Sequence, residues 1–335
     1  LGTGQAWIAV GLFLGTVANW LFISKRLRRY TIIANNSLTL PEFFENRYHD
    51  SKKILLGISS VVIVVFFLVY TASALASGGK LFNTVFGVDY HIALLIGTAV
   101  ILIYTFMGGF LAVCTTDFVQ GSLMLVGILV VPIIAYNMLD GDMITALSAN
   151  GISDTDGYLS MFLNNGAAYS PKEILSQLAW GLGYCGMPHI LVRFMAVKNE
   201  KELKKSSVIA IIWVAISLIF ACVIGIVGRA YIVPVLENSA TETVFVEMIK
   251  KVFSVDLTLP FIGGIFLCGI LAAIMSTADS QLLVCASSVS KDIYKNILKP
   301  DAPDDKVLKI SRITVLVIAV LAFIIAWNPD SSIMG

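Results

Sequence analysis

Long apolar runs, each closed by a short polar or charged stretch, follow one another along most of the chain. A bilayer core of about 30 Å needs about 20 apolar residues per helix. Eight segments fit that length, at roughly residues 5–23, 54–78, 92–110, 118–136, 173–191, 207–232, 260–288 and 313–327. The third and fourth are separated only by GGFLAVCTTD, and the last is short for a span. This pattern predicts an all-α polytopic membrane protein. Composition points the same way: of 335 residues only 13% are charged and 57% are hydrophobic, whereas a soluble domain carries about 25% charged residues. The balance of 23 Lys and Arg against 22 Asp and Glu excludes a broadly basic nucleic-acid binder.

The positive charges orient the spans. Eighteen of the 23 Lys and Arg residues fall in alternate connections, in loops 24–53, 192–206 and 291–312. By the positive-inside rule these loops are cytoplasmic and the first helix runs outside to inside. The basic, amphipathic stretch 192–206 reads as a topology anchor. Residues 137–172 form a long extracytoplasmic loop with Asp140, Asp142, Asp154 and Asp156. Their spacing does not match an EF-hand, so a solvated loop with short helical pieces is the better reading. The five cysteines lie in or beside apolar runs, with no CxxC, and read as small buried hydrophobes. With no basic leader at Leu1 and a stop just after a polar turn, the chain reads as a piece of a longer one.

Three spans depart from apolar filler, and polar groups or helix breakers at membrane depth are default functional hypotheses. In SQLAWGLGYCGMPHILVRF, residues 176–194, Gly181, Gly183, Gly186 and Pro188 fall within eight residues. Gly costs about 1 and Pro about 3 kcal/mol relative to Ala inside a helix. Such a cluster opens or kinks the helix and frees backbone groups that must face protein or a wet cavity. Trp180, Tyr184 and Pro188 would share one face if the segment stayed helical. Rings beside freed backbone suit a small amphipathic solute; a Pro-kinked helix packed through its glycines is the equally weighted alternative.

In residues 268–290, Ala273, Ser276, Thr277 and Ser280 form one helical stripe at i, i+3, i+4 and i+7. Two hydroxyls with backbone carbonyls opposite could replace the water shell of a small monovalent cation, since oxygen ligands suit a hard ion. Alternatively, the hydroxyls satisfy carbonyls of their own helix. Asp279 lies off the stripe near the inside end, and with Ser280 and Gln281 it reads as a supporting or gating position. Tyr70, within the third such span, needs a hydrogen-bond partner for its phenol at membrane depth. No HExxH, Walker loop or GxSxG is present and the three histidines are isolated, so no enzyme is expected.

WGLGYCGMPHILVRFMA at 180–196, YTFMGGFLAVCTTDFVQGSLM at 104–124 and ILAAIMSTADSQLLVCASSVSKDIYK at 270–295 resemble the sodium/solute symporter family. The likeness includes LTLPEFFENRY at 38–48, and WGLGY-x-G-x-PHIL is similar to its proline-transporting branch. The resemblance implies a LeuT-type fold of two inverted five-helix repeats, incomplete here. Residues 1–136 would belong to the first repeat and 173–335 to the second, in a single transport domain lacking N- and C-terminal helices. It implies sodium as coupling ion, with no other cofactor, held by the Ala273 carbonyl and the Ser276 and Thr277 hydroxyls. Tyr70, Trp180, Tyr184 and Pro188 match substrate-side positions, and Gly181, Gly183 and Gly186 the helix break. The implied activity is sodium-coupled import of L-proline across the inner cell membrane by alternating access. Another small solute (pantothenate, a sugar, a monocarboxylate) and a transporter-like sensor domain are the alternatives.

Overall fold

The computed structural model describes residues 2–139, 141–164 and 167–328; Asp140 of the acidic loop lies outside them. Its helices are α1 (Ala6–Ala18), α2 (Ser24–Ile33), α3 (Leu40–Tyr48), α4 (Ile54–Phe86), α5 (Tyr90–Asn137), α6 (Met143–Ala149) and α7 (Thr155–Leu159). There follow α8 (Pro171–Leu178), α9 (Pro188–Ala196), α10 (Glu200–Tyr231), α11 (Val244–Ile249), α12 (Pro260–Ser287) and α13 (Asp304–Ile325). A π-helical turn, Asn19–Ile23, joins α1 to α2, and another, Ser288–Leu298, extends α12. The β-structure among the described residues is one two-residue antiparallel pair, β1 (Leu163–Asn164) with β2 (Ala167–Ala168).

Among the described residues, six helical stretches are long and apolar enough to cross a bilayer: Thr3–Ile33, Ile54–Phe86, Val113–Asn137, Glu200–Tyr231, Pro260–Leu298 and Asp304–Ile325. Their surfaces carry large exposed apolar side chains, among them Phe66, Phe118, Ile209 and Phe261. A water-soluble protein does not leave so many uncovered. This is a multi-pass membrane protein. The structure departs from the sequence expectation at the connection between the third and fourth stretches. The stretches 92–110 and 118–136 lie on one helix, α5, which continues through GGFLAVCTTD. That connection contains no proline, and two glycines alone weaken a helix without ending it. The stretch at 173–191 is broken between α8 and α9, at the glycine and proline cluster where the sequence expects the helix to open or kink. Cys268 is exposed on its helix, unlike the buried Cys285, because an apolar side chain can face lipid as readily as core.

The helix ends follow from local chemistry. Thr39 caps α3, accepting from the Glu42 N–H, while the Glu42 carboxylate accepts from the Leu38 N–H at 2.7 Å. Gly87, at φ 64°, ends α4 in the left-handed region and returns its N–H to the Asn83 carbonyl. In the acidic loop, Asp142 and Asp154 cap the short helices α6 and α7 through the Thr145 and Gly157 N–H groups. Their carboxylates thus serve as caps.

The chain divides into two compact units. One comprises Leu1–Lys25, Ser122–Met187 and Lys198–Gly269. Within it the acidic loop is pinned over the start of α1: Thr3 donates to the Tyr158 carbonyl and Trp7 Nε1 to the Met161 carbonyl. Asn150 ties the same loop to the end of α10 by donating to the Ala230 carbonyl at 2.6 Å. The other unit comprises Arg26–Gly121, Pro188–Val197 and Ile270–Gly335. Its core is built from α4, α12 and α13, with Ile63, Phe67, Leu75, Leu282, Ile318 and Ala322 buried together. Lipid is as apolar as leucine, so this packing rests on close fit and small residues rather than on water exclusion. Below it, Thr39 donates to Asp292 at 2.6 Å and Lys291 pairs with Glu42 at 2.8 Å, fixing α3 to the extension of α12.

Candidate functional site

The broken segment is built from its sequence outward. Ser170 and Glu173 form a reciprocal capping box and Pro171 stands in the first turn, so α8 starts firmly. At Ala179 the α-helix tightens into a 3-10 helix that runs to Cys185 and holds Gly181 and Gly183. Gly186 closes it by donating to the Gly183 carbonyl at 3.1 Å, and α9 begins at Pro188, where a missing N–H is harmless. The segment does not stay α-helical, so the shared face that Trp180 and Tyr184 would have on a continuous helix does not form. At three residues per turn they stand about 120° apart around the axis. Trp180 is 56% exposed and Tyr184 is half-buried.

In the same unit α1 lies against this segment backbone to backbone. A Cβ on Gly11 would stand 2.5 Å from the Leu178 carbonyl oxygen, and one on Gly15 would run into the Gly181 carbonyl. A Cβ on Gly181 would strike the Gly11 carbonyl in turn. By contrast Gly183 has open space around it. Asn19, only 1% exposed, donates from Nδ2 to the Tyr184 carbonyl at 2.8 Å. Neither Gly15 nor Asn19 stood out in the sequence, because a lone glycine or amide in an apolar run carries no pattern of its own.

The second unit holds the remaining candidates. Ser276 and Thr277 both donate to the Ala273 carbonyl, at 3.1 and 3.0 Å, so three oxygens converge on one turn of α12. All three residues are half-buried. The two hydroxyl oxygens keep lone pairs that can face an ion, whereas the Ala273 carbonyl already accepts from both hydroxyls and would take an ion only as those hydroxyls turn away. Asp279 and Gln281 are fully buried one turn further on, and Ser280 is nearly so. Tyr70 on α4 is 40% exposed and meets Phe67 edge-on at 6.3 Å, while Phe67 meets His189 at 5.7 Å. Tyr70 and the Pro188 end of α9 thus share a neighbourhood through Phe67 and His189.

One cluster escaped the sequence reading. Arg193 on α9 pairs with Asp117 on α5 at 2.5 Å and donates to Ser280 at 2.9 Å through the same nitrogen. A cavity of about 250 Å³ opens beside it, lined among others by Thr39, Pro188, His189, Arg193 and Ser280. The signal in the sequence is ionisable residues bordering apolar runs: Asp117 stands just before the expected span at 118–136 and Arg193 just after the one at 173–191, where charge marks topology as readily as a site.

The profile of the sodium:solute symporter family matches residues 1–335. The osmoregulated proline transporter OpuE of Bacillus subtilis (strain 168) is 41% identical over 333 residues, covering 99% of this chain and 66% of that protein. The sodium/proline symporter of Staphylococcus aureus is 41% identical over 338 residues, covering 100% of this chain and 64% of that protein. The chain therefore spans about two thirds of the length of these relatives. Among solved structures, a Na+-coupled sialic acid symporter in a substrate-bound, outward-open state superposes with a TM-score of 0.72 at 18% identity, covering 99% of this chain and 75% of that one. That likeness speaks to the fold, which is LeuT-like. A match along the whole chain, with relatives at this identity, leads to one conclusion: the chain belongs to the sodium:solute symporter family.

Proposed function

We propose that the chain forms the core of a secondary carrier that couples inward sodium movement to uptake of L-proline by alternating access. The observation that carries this reading is the 3-10 break at Ala179–Cys185 between two α-helices, with Trp180 and Tyr184 on it. Backbone dipoles at the two helix ends of such a break can hold the charged ends of an amino acid while aromatic rings pack its apolar ring. The proline assignment draws on the names of the relatives at 41% identity. Tyr70 and Pro188 complete the substrate side in this reading.

Sodium binds at the Ala273 carbonyl and the Ser276 and Thr277 hydroxyls, with further oxygens supplied from elsewhere in the full-length protein. Asp279, Ser280 and Gln281 support or gate that site. Loops 24–53, 192–206 and 291–312 are cytoplasmic, so sodium enters down both its concentration ratio and the membrane potential, about 2.3 kcal/mol per charge per 100 mV. Coupling is reciprocal: proline tightens sodium binding by the factor with which sodium tightens proline. Residues 1–136 are part of the first inverted repeat and 173–335 part of the second, with the extracytoplasmic loop 137–172 between them.

Competition tests the substrate. In vesicles holding the full-length protein, unlabelled L-proline should abolish sodium-driven uptake of labelled L-proline, and pantothenate, glucose or lactate in equal excess should not. Equal inhibition by one of these solutes would replace proline with it.

A further inference from the structure

In an α-helix the carbonyl of residue 184 accepts from the N–H of residue 188. Residue 188 is proline and has no N–H. The Tyr184 carbonyl is therefore the one acceptor of this segment that a continuous helix could not satisfy, and in a membrane an unsatisfied carbonyl is costly. The bond it makes is with Asn19: Nδ2 donates to it at 2.8 Å from a side chain that is 1% exposed. The orientation of the amide follows, because turning its oxygen toward Tyr184 would set two acceptors face to face. Two further features of α1 serve this contact. Gly11 and Gly15 let the helix approach until no Cβ would fit. At Asn19 itself α1 passes into a π-helical turn, with the Ser24 N–H bonded to the Asn19 carbonyl. Such turns aim one side chain where a regular helix would not.

We propose that Asn19 is a positioning residue of the solute site, supplying from α1 the hydrogen bond that Pro188 withholds from Tyr184 and so holding the break in its open, solute-accepting geometry. This rests on the carrier reading for its functional consequence but not for its structural one. Asn19→Asp keeps the shape and removes the donor, Asn19→Leu removes both hydrogen-bonding atoms, and Asn19→Gln keeps the donor on a longer arm.

Hydrogen exchange on the full-length protein in nanodiscs reads the clip directly. In Asn19→Asp and Asn19→Leu, amides of 179–187 should exchange about tenfold faster, the equivalent of one hydrogen bond's net worth, while those of 212–230 stay unchanged. Asn19→Gln should fall between, and Asn19→Asp combined with Pro188→Ala, which restores an N–H at 188, should regain protection. In transport, Asn19→Asp should raise the KM for proline about tenfold with the sodium half-saturation little changed. Unchanged exchange at 179–187, or an equal rise in 212–230, would overturn the proposal. Wild-type protein that takes up no proline would end the carrier reading, and the exchange comparison would still decide the clip.

Discussion

Arg193 and Asp117 face each other at 2.5 Å across α9 and α5, two ionisable groups in otherwise apolar helices. Neither is fully sealed, since their side chains are 37% and 19% exposed. Removing one partner of a buried pair costs about 3–5 kcal/mol, and partial exposure brings that down to about 1–3. Arg193→Met should lower the detergent melting temperature, and adding Asp117→Leu should restore much of the loss. A double variant no better than the sum of the singles would show that the two groups do not act as a pair.

Gly15 and Gly183 make a matched comparison. At Gly15 a Cβ has no room beside the Gly181 carbonyl, whereas at Gly183 it meets open space. Gly15→Ala should destabilise by about 1–3 kcal/mol through overpacking and cut uptake; Gly183→Ala should leave stability nearly unchanged. Both are read by thermal melting in one detergent. Equal tolerance at the two positions would mean that α1 does not press on the break.

Thr277→Ala and Ser276→Ala each delete an oxygen from the Ala273 turn. Either should raise the sodium concentration for half-maximal uptake about tenfold, near 1.4 kcal/mol, while Thr277→Ser retains most of the affinity. Sodium dependence untouched by both alanines would remove these residues from the ion site.

Trp180→Ala takes away an exposed indole on the break. Uptake assays should show proline affinity falling at least tenfold with sodium half-saturation shifted much less, the signature of a group that packs the solute. Parallel losses of both would point to a damaged fold.

The sequence carried the spans and the break for physical reasons that hold locally. Twenty apolar residues in a row have few structural options in a bilayer, and three glycines with a proline inside eight residues cannot propagate a helix. The acidic loop reads in the sequence as solvated with short helical pieces, and the structure adds that Asp142 and Asp154 cap them. What stayed hidden depended on partners far away in sequence. Asn19 has meaning only against Tyr184, 165 residues on, and Asp117 only against Arg193, 76 residues on. The continuity of α5 through its glycine pair was hidden too, because composition marks where a helix weakens and tertiary packing decides whether it ends.

Sodium-coupled accumulation of proline is read directly by labelled L-proline uptake into proteoliposomes of the full-length protein. An inward sodium gradient, inside negative, should drive proline above equilibrium, and replacing sodium with potassium should abolish the overshoot. Proline that equilibrates identically with either cation, or binds without accumulating, would contradict the account.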